Sequence, residues 1–139
     1  MARAADFYVD PENGDMSGDG SASAPWSTLQ EVVDAGLIEI RMWDALPYES
    51  SSHLEAENPG ARVQPGDTIC LRSGCHGNVE IIGAYNAETI PVEADGGDVP
   101  RLGRLLVRSA SGWIFGGLVV GQAVWVSRVK GTLEAHCRV

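Results

Sequence analysis

Val63-Gln64-Pro65-Gly66-Asp67-Thr68-Ile69-Cys70-Leu71-Arg72-Ser73-Gly74 opens a ladder of very short alternating segments, each broken by Gly, Asn or Asp. Ile69 and Leu71 point one way, while Thr68, Cys70 and Arg72 point the other. After a turn at 74–78, Val79 and Ile81 alternate with Glu80, and Gly83-Ala84-Tyr85-Asn86 turns the chain again. Ile90 and Val92 alternate with Pro91 and Glu93, and Asp95-Gly96-Gly97-Asp98 follows. Leu105 and Val107 alternate with Arg104, Leu106 and Arg108, and the run from Trp113 supplies Ile114, Leu118 and Val120 around Gly116-Gly117. Strands this short suit the rungs of a solenoid. Three of them between Ile69 and Val92 read as one three-faced coil, and Leu105 opens the next. A spacing of ~10 residues also suits a β-sandwich, the alternative architecture. Against the sandwich, no two-residue Asn-Gly or Asp-Gly hairpin joins neighbouring strands. The ladder stops after roughly two and a half rungs, and a solenoid needs about three to bury a continuous core.

Upstream, Phe7-Tyr8-Val9 is a short apolar strand ended by Asp10-Pro11, and residues 12–24 form a turn-rich loop. One helix follows. Ser27 and Gln30 stand at capping-box spacing, Leu29, Val32, Val33 and Leu37 share a face, and Gly36 suits a left-handed C-terminal position. Such a short, one-sided helix needs a flat apolar surface to cover. From Ile38 to Ala61 no period holds, and a compact loop anchored by aromatic residues is expected. The expected organisation is one domain: strand, helix and long loop over 1–62, rungs over 63–120, and an atypical tail over 121–139.

The chain has 139 residues, 44% of them hydrophobic, with 17 Gly and 7 Pro, which favours strands and turns over helices. No apolar run reaches the ~18–20 residues of a membrane helix. Net charge is −9. Residues 1–60 hold twelve acids against two arginines, while the segment from Pro100 holds six basic residues against one acid. An acidic front repels phosphate and argues against a nucleic-acid partner. Ala2-Arg3-Ala4 is the small-residue pattern left at a signal-peptidase site, so an extracellular or cell-envelope location is expected. Three cysteines cannot all pair within the chain, and buried or half-buried free thiols are expected.

Several of these segments resemble a known family. Phe7-Tyr8-Val9-Asp10, Gly14-Asp15, Gly18-Asp19-Gly20 and Pro25-Trp26-Ser27-Thr28-Leu29-Gln30 resemble the N-terminal segment of secreted right-handed parallel β-helix proteins of the pectate-lyase-like superfamily. The quoted stretch from Val63 resembles their first rung, and Ser111-Gly112-Trp113-Ile114 with Gly116 to Val120 resembles a strand pair of the second coil. The resemblance covers about residues 6–120. It implies a helix that caps the open end of a truncated solenoid, and polysaccharide lyases, uronate epimerases or adhesins as relatives. The catalytic groove of that family lies on later coils, so no catalytic residue is carried over. The expected function is a non-catalytic module of a secreted carbohydrate-associated protein that self-associates as a homo-oligomer through its open C-terminal end. The alternative is a part of a lyase or epimerase of acidic glycans whose catalytic coils lie outside this chain.

Two constellations carry candidate chemistry. Arg101, Arg104 and Arg108 form a basic row able to grip uronate carboxylates, and Trp43, Tyr48 and Tyr85 offer faces for sugar rings. A solvated basic edge and aromatic loop anchors are the competing readings. Asp15-Met16-Ser17-Gly18-Asp19-Gly20 matches half of a calcium loop, with Asp10 and Asn13 as further oxygen donors, but Trp26 stands where the bidentate Glu belongs. Asp and Gly as turn formers compete with calcium there. His53, His76 and His136 are isolated, and Cys75-His76 lacks further ligands at metal spacing.

Overall fold

The computed structural model describes residues 5–43, 54–56, 58, 60–125 and 129–134. The elements in chain order are β1 (Asp6–Val9), α1 (Leu29–Asp34), β2 (Arg41–Trp43), β3 (Leu54–Ala56), β4 (Thr68–Leu71), β5 (Gly74–Cys75), β6 (Asn78–Ala94), β7 (Pro100–Trp125) and β8 (Val129–Glu134). The fold is mostly strand, with one short helix and a single eight-stranded sheet. Among the described elements no helix is long and apolar enough to cross a membrane.

Pairing is parallel along most of the sheet. β1 lies beside β4, β4 beside the end of β6, that part of β6 beside β7, and β7 beside β8. Ile69 pairs with Val92 and Val92 with Phe115, two steps of equal length along the sequence. On a second ladder Val79 pairs with Leu105 and Ile81 with Val107, and on a third Gly74 pairs with Pro100. These two ladders share one offset, slightly longer than that of the first. The change falls at an irregularity between Tyr85 and Ile90. Among the described strands antiparallel pairing is confined to β2, with β3 and at Arg41↔Tyr85, and one isolated antiparallel bridge joins Ser21 and Ala24. The β-sandwich alternative is therefore not met, since facing antiparallel sheets would demand the opposite strand direction.

Residues 78–94 and 100–125 are continuous strands, where the sequence predicts breaks at 83–86 and at 116–117. In both places the register shifts, between Tyr85 and Ile90 on β6 and between Phe115 and Leu118 on β7, so the expected breaks survive as irregularities within longer strands. β7 must curl. Its 26 residues would span about 85 Å if straight at ~3.3 Å per residue, against a radius of gyration of about 14 Å for a compact chain of this length.

The core forms inside the curl. Phe7, Ile69, Val92 and Phe115 stand in one row in register, and Val79 with Leu105 and Ile81 with Val107 face it, all buried. Ile114, expected inside, is 41% exposed, because the pairing of Ile90 with Trp113 turns Trp113 and Phe115 inward. The pairing also runs past Val120, further than the apolar pattern alone suggests, with Leu118 opposite Leu133 and Val119 opposite Glu134.

The turn that leads into β4 is built by Pro65-Gly66. Asp67 N–H donates to the Gln64 carbonyl, and Gly66 takes φ +95°, the conformation a type II turn needs at that position. The buried Asp67 carboxylate then accepts from Gln64 N–H and from Ala5 N–H, both at 2.8 Å, tying the start of the chain to β4.

The helix starts one residue later than its spacing suggests. Thr28, not Ser27, is the N-cap: its Oγ1 accepts from Glu31 N–H at 3.3 Å and donates to Glu31 Oε1 at 3.0 Å. Ser27 instead donates to Glu31 Oε2. At the other end Gly36, with φ +70°, donates to Val33 O while Leu37 donates to Val32 O, a Schellman closure. Leu29 and Val32 are buried against the core, with Val33 and Leu37 packed at its margin.

Candidate functional site

Two groups of polar side chains stand out on the outside of the sheet. The first centres on Arg72, one residue beyond β4. Its guanidinium lies 3.7 Å from Asp10 Oδ2 and 3.3 Å from Asp95 Oδ2, donates to Ala22 O at 3.0 Å, and covers the Tyr8 ring at 5.1 Å. Separate segments of the chain thus converge on one cation. Cys70 lies alongside as a buried free thiol, pushed up to about 11 by burial first and then by the charges of Asp6, Asp95 and Glu93. His76, also buried, places Nε2 2.9 Å from the Arg72 carbonyl oxygen.

This group closes the N-terminal loop. Tyr8 N–H donates to Gly20 O, Trp26 N–H to Tyr8 O and Asp10 N–H to Trp26 O, so segment 20–26 covers the free edge of β1. Trp26 is 1% exposed, stacks on Phe7 with ring centroids 5.5 Å apart, and donates Nε1–H to Gly18 O. A Cβ at Gly14 would sit 2.0 Å from the Trp26 carbonyl oxygen, so the glycines of this loop are where the backbone passes over Trp26.

The aspartates considered for calcium are engaged in this loop. Asp10 Oδ1 accepts from Glu12 N–H and Asn13 N–H, Asp15 Oδ1 from Ser17 N–H, and Asp19 Oδ1 from Ser21 N–H. Asn13 directs Nδ2 at Asp10 Oδ2. These are side-chain turns, each closed on its own backbone. The hydrogen bonds lower the pKa of Asp15 and Asp19, and at Asp10 they outweigh the opposing effect of burial. Among the described residues no three His, Cys, Asp or Glu side chains converge as a metal cluster would require. Asp10, Asn13, Asp15 and Asp19 therefore serve as turn formers here.

The second group is the basic row of β7. Arg104 stands beside Asn78 and Arg108 beside Ile82 on one ladder, whereas Arg101 stands beside Cys75 on another. Arg101 and Arg108 are exposed, and Arg104 is half-buried with its Nε lacking a hydrogen-bond partner. The row is not purely basic, since Glu80 lies opposite Leu106 between the two arginines of the shared ladder. Tyr85 lies on β6 opposite Arg41, away from Arg104 along the strand. Trp43 lies on β2, and Tyr48 falls outside the described residues. Arg101, Arg104 and Arg108 thus follow one another along β7, and Tyr85 lies on the paired strand three residues beyond Ile82, the neighbour of Arg108.

The expectation of free thiols holds for Cys70 and fails for Cys75, which is disulfide-bonded. Sequence reasoning also missed the Arg72 group. Its members run from Tyr8 to Asp95 in the chain, and only the parallel register brings them side by side. A small apolar cavity of about 40 Å³ lies between α1, β6 and Trp113, lined by Val33, Ile38, Ile40 and Ile81. Asn58 borders it with its amide fully used, accepting from Ile40 N–H and donating to Gly36 O and Ile38 O.

No family model, curated protein or solved structure matches the chain.

Proposed function

We propose that the chain is a non-catalytic module of a secreted, carbohydrate-associated protein, built as a short right-handed parallel β-helix of the pectate-lyase-like kind. Its outward arginines on β7 hold the carboxylates of an acidic glycan. The observation that carries this reading is the register: equal steps along the sequence lead from Ile69 to Val92 and from Val92 to Phe115, each to a parallel neighbour. Rungs stacked this way turn outward side chains into a regular array. Arg104 and Arg108 are then held about 13 Å apart along one strand, from a rise of ~3.3 Å per residue. Guanidinium groups pair with carboxylates by two parallel hydrogen bonds, which suits uronate units of a polymer. A disulfide at Cys75 favours an oxidising compartment and so supports an extracellular location. Homo-oligomerisation belongs to the same reading, with a second copy added at β8, which among the described strands pairs only with β7.

Calorimetric titration with oligouronates tests the proposal. Binding is expected to weaken steeply with salt, and the double substitution Arg104→Ala, Arg108→Ala is expected to reduce it at least about tenfold. Binding that ignores the double substitution, or no binding at millimolar oligouronate, would sink the glycan assignment. Release of unsaturated uronate, seen as new ultraviolet absorbance, would replace the non-catalytic module by the lyase alternative.

A further inference from the structure

We infer that His76 is an acid-sensitive latch: it holds the Asp10–Gly14 turn against the first rung, and protonation at Nδ1 releases that turn. The geometry begins with burial. His76 is 3% exposed, and its own backbone N–H donates to Arg101 O at 2.7 Å, fixing it between the turn after β4 and strand β7. A carbonyl oxygen only accepts, so Nε2, 2.9 Å from Arg72 O, carries the ring proton. That leaves Nδ1 as a bare acceptor, buried and without a hydrogen-bond partner. A neutral ring tolerates this. A second proton at Nδ1 creates a buried donor and a buried charge with nothing to receive either.

The N-terminal turn is what can answer that charge. It packs against Gly74, two residues before His76, where a Cβ would meet Pro11 Cγ at 2.7 Å and Glu12 Cγ at 3.4 Å. Arg72 and Arg101 meet His76 through their backbone carbonyls, and Asp10 and Glu12 are the charged residues of the turn. Of these, Asp10 is the one whose charge favours a protonated ring. The Asp10 carboxylate already accepts the Glu12 and Asn13 amides at 3.0 Å each and lies 3.7 Å from Arg72 Nη1. Turning it toward an imidazolium breaks the two amide bonds that shape the turn. The residue that accepts from His76 is also the residue that grips Asp10, Ala22 and Asp95, so the latch and the Arg72 clamp share one backbone position.

The sign follows from linkage. Burial holds the docked His76 below its ordinary 6.5, and an undocked ring regains that value. Docking is therefore at full strength above about pH 6.5 and weakens as pH falls, by at most about tenfold per unit for one proton. The carboxylate of Asp10, lowered by its amide hydrogen bonds despite burial, stays charged through this window.

Hydrogen exchange on the full chain between pH 7.5 and 5.5, expressed as protection factors, reads the latch. Protection at the Asn13, Gly14 and Asp15 amides is expected to fall up to about tenfold, while the amides of 79–82 and 105–108 hold. His76→Gln keeps a donor for Arg72 O and cannot titrate, so its turn amides should lose that pH dependence. If that variant does not fold, the ring ¹⁵N shifts of His76 in the native chain decide instead, with the second ring proton expected to bind only below the ordinary 6.5. Equal loss across turn and rungs, a pH-dependent turn in His76→Gln, or a ring that titrates freely at 6.5 would each overturn the latch.

Discussion

Cys70 shows how much of a residue's chemistry is set by strand neighbours far away in sequence. It stands between Tyr8 on β1 and Glu93 on β6, with Arg72 just beyond it. Burial and three nearby carboxylates push its thiol up to about 11, because a thiolate there would be poorly solvated and repelled. At pH 8 the native thiolate fraction is about one in a thousand, roughly a hundredfold below that of an ordinary cysteine. Native protein at pH 8 should therefore resist iodoacetamide at this position, and unfolding without reductant should expose one reactive thiol, counted by mass. Rapid native alkylation at Cys70 would contradict its burial. The alternation Thr68-Ile69-Cys70-Leu71 makes the outward direction of Cys70 readable in sequence. Its burial is not readable there, because the cover comes from β1 and β6, strands that lie well before and well after it in the chain. The burial of Trp26 is hidden for the same reason, since its partners are Phe7 and the backbone of a glycine-rich loop. Ile114 defeats the alternation rule because parity counted from a glycine-containing bend does not survive the bend.

At the scale of elements, α1 does more than shield apolar side chains. Residues 78–82 of β6 have a parallel partner on one side, β7, and the helix approaches from the other. Gln30 Oε1 accepts from Glu80 N–H at 2.6 Å, so a helix side chain takes the place of a missing strand. This is how a sheet edge avoids presenting free amides. Six helical residues cannot be stable by propensity alone, so the caps and the buried Leu29 and Val32 decide whether α1 forms. Thr28→Ala removes the hydroxyl that both accepts from and donates to Glu31, and is expected to cost about 1 kcal/mol in urea unfolding. Ser27→Ala should stay within about 0.5 kcal/mol, because Ser27 makes only an exposed side-chain contact. The reverse ranking would restore the earlier start suggested by the Ser27–Gln30 spacing. The expected cap is Ser27 with Gln30, yet Thr28 and Glu31 stand at the same spacing. Nothing local separates the two pairs. Selection comes from Gln30 being needed at β6, which frees Glu31 to complete the box with Thr28.

Across the whole molecule the parallel strands form a series in which each touches chiefly the strands beside it in the curled sheet. The turn-bounded apolar pairs at Ile69–Leu71, Val79–Ile81, Ile90–Val92 and Leu105–Val107 are legible in sequence, and all are buried in parallel neighbours. The continuous length of β7 and the pairing of β8 are not, since a strand that continues past a register shift leaves no single hydrophobic period behind. Such a series distributes stability unevenly. β1 has strand contact above and a loop below, while Val92 has Ile69 on one side and Phe115 on the other, both fully or almost fully buried. Val92→Ala therefore opens a void that two layers line and neither can fill alone. The expected cost is about 2 kcal/mol, the transfer of two methyl-sized groups plus an unrelaxed cavity. In native-state hydrogen exchange the loss should appear at once in the amides of 69–71 and of 113–116, the two strands in register with the substituted one. Loss confined to β6, with neighbouring strands unchanged, would mean that these strands do not share a core row. Loss spread equally to β2 and β3, which join the sheet by the antiparallel pairing at Arg41, would mean that the molecule unfolds as one unit.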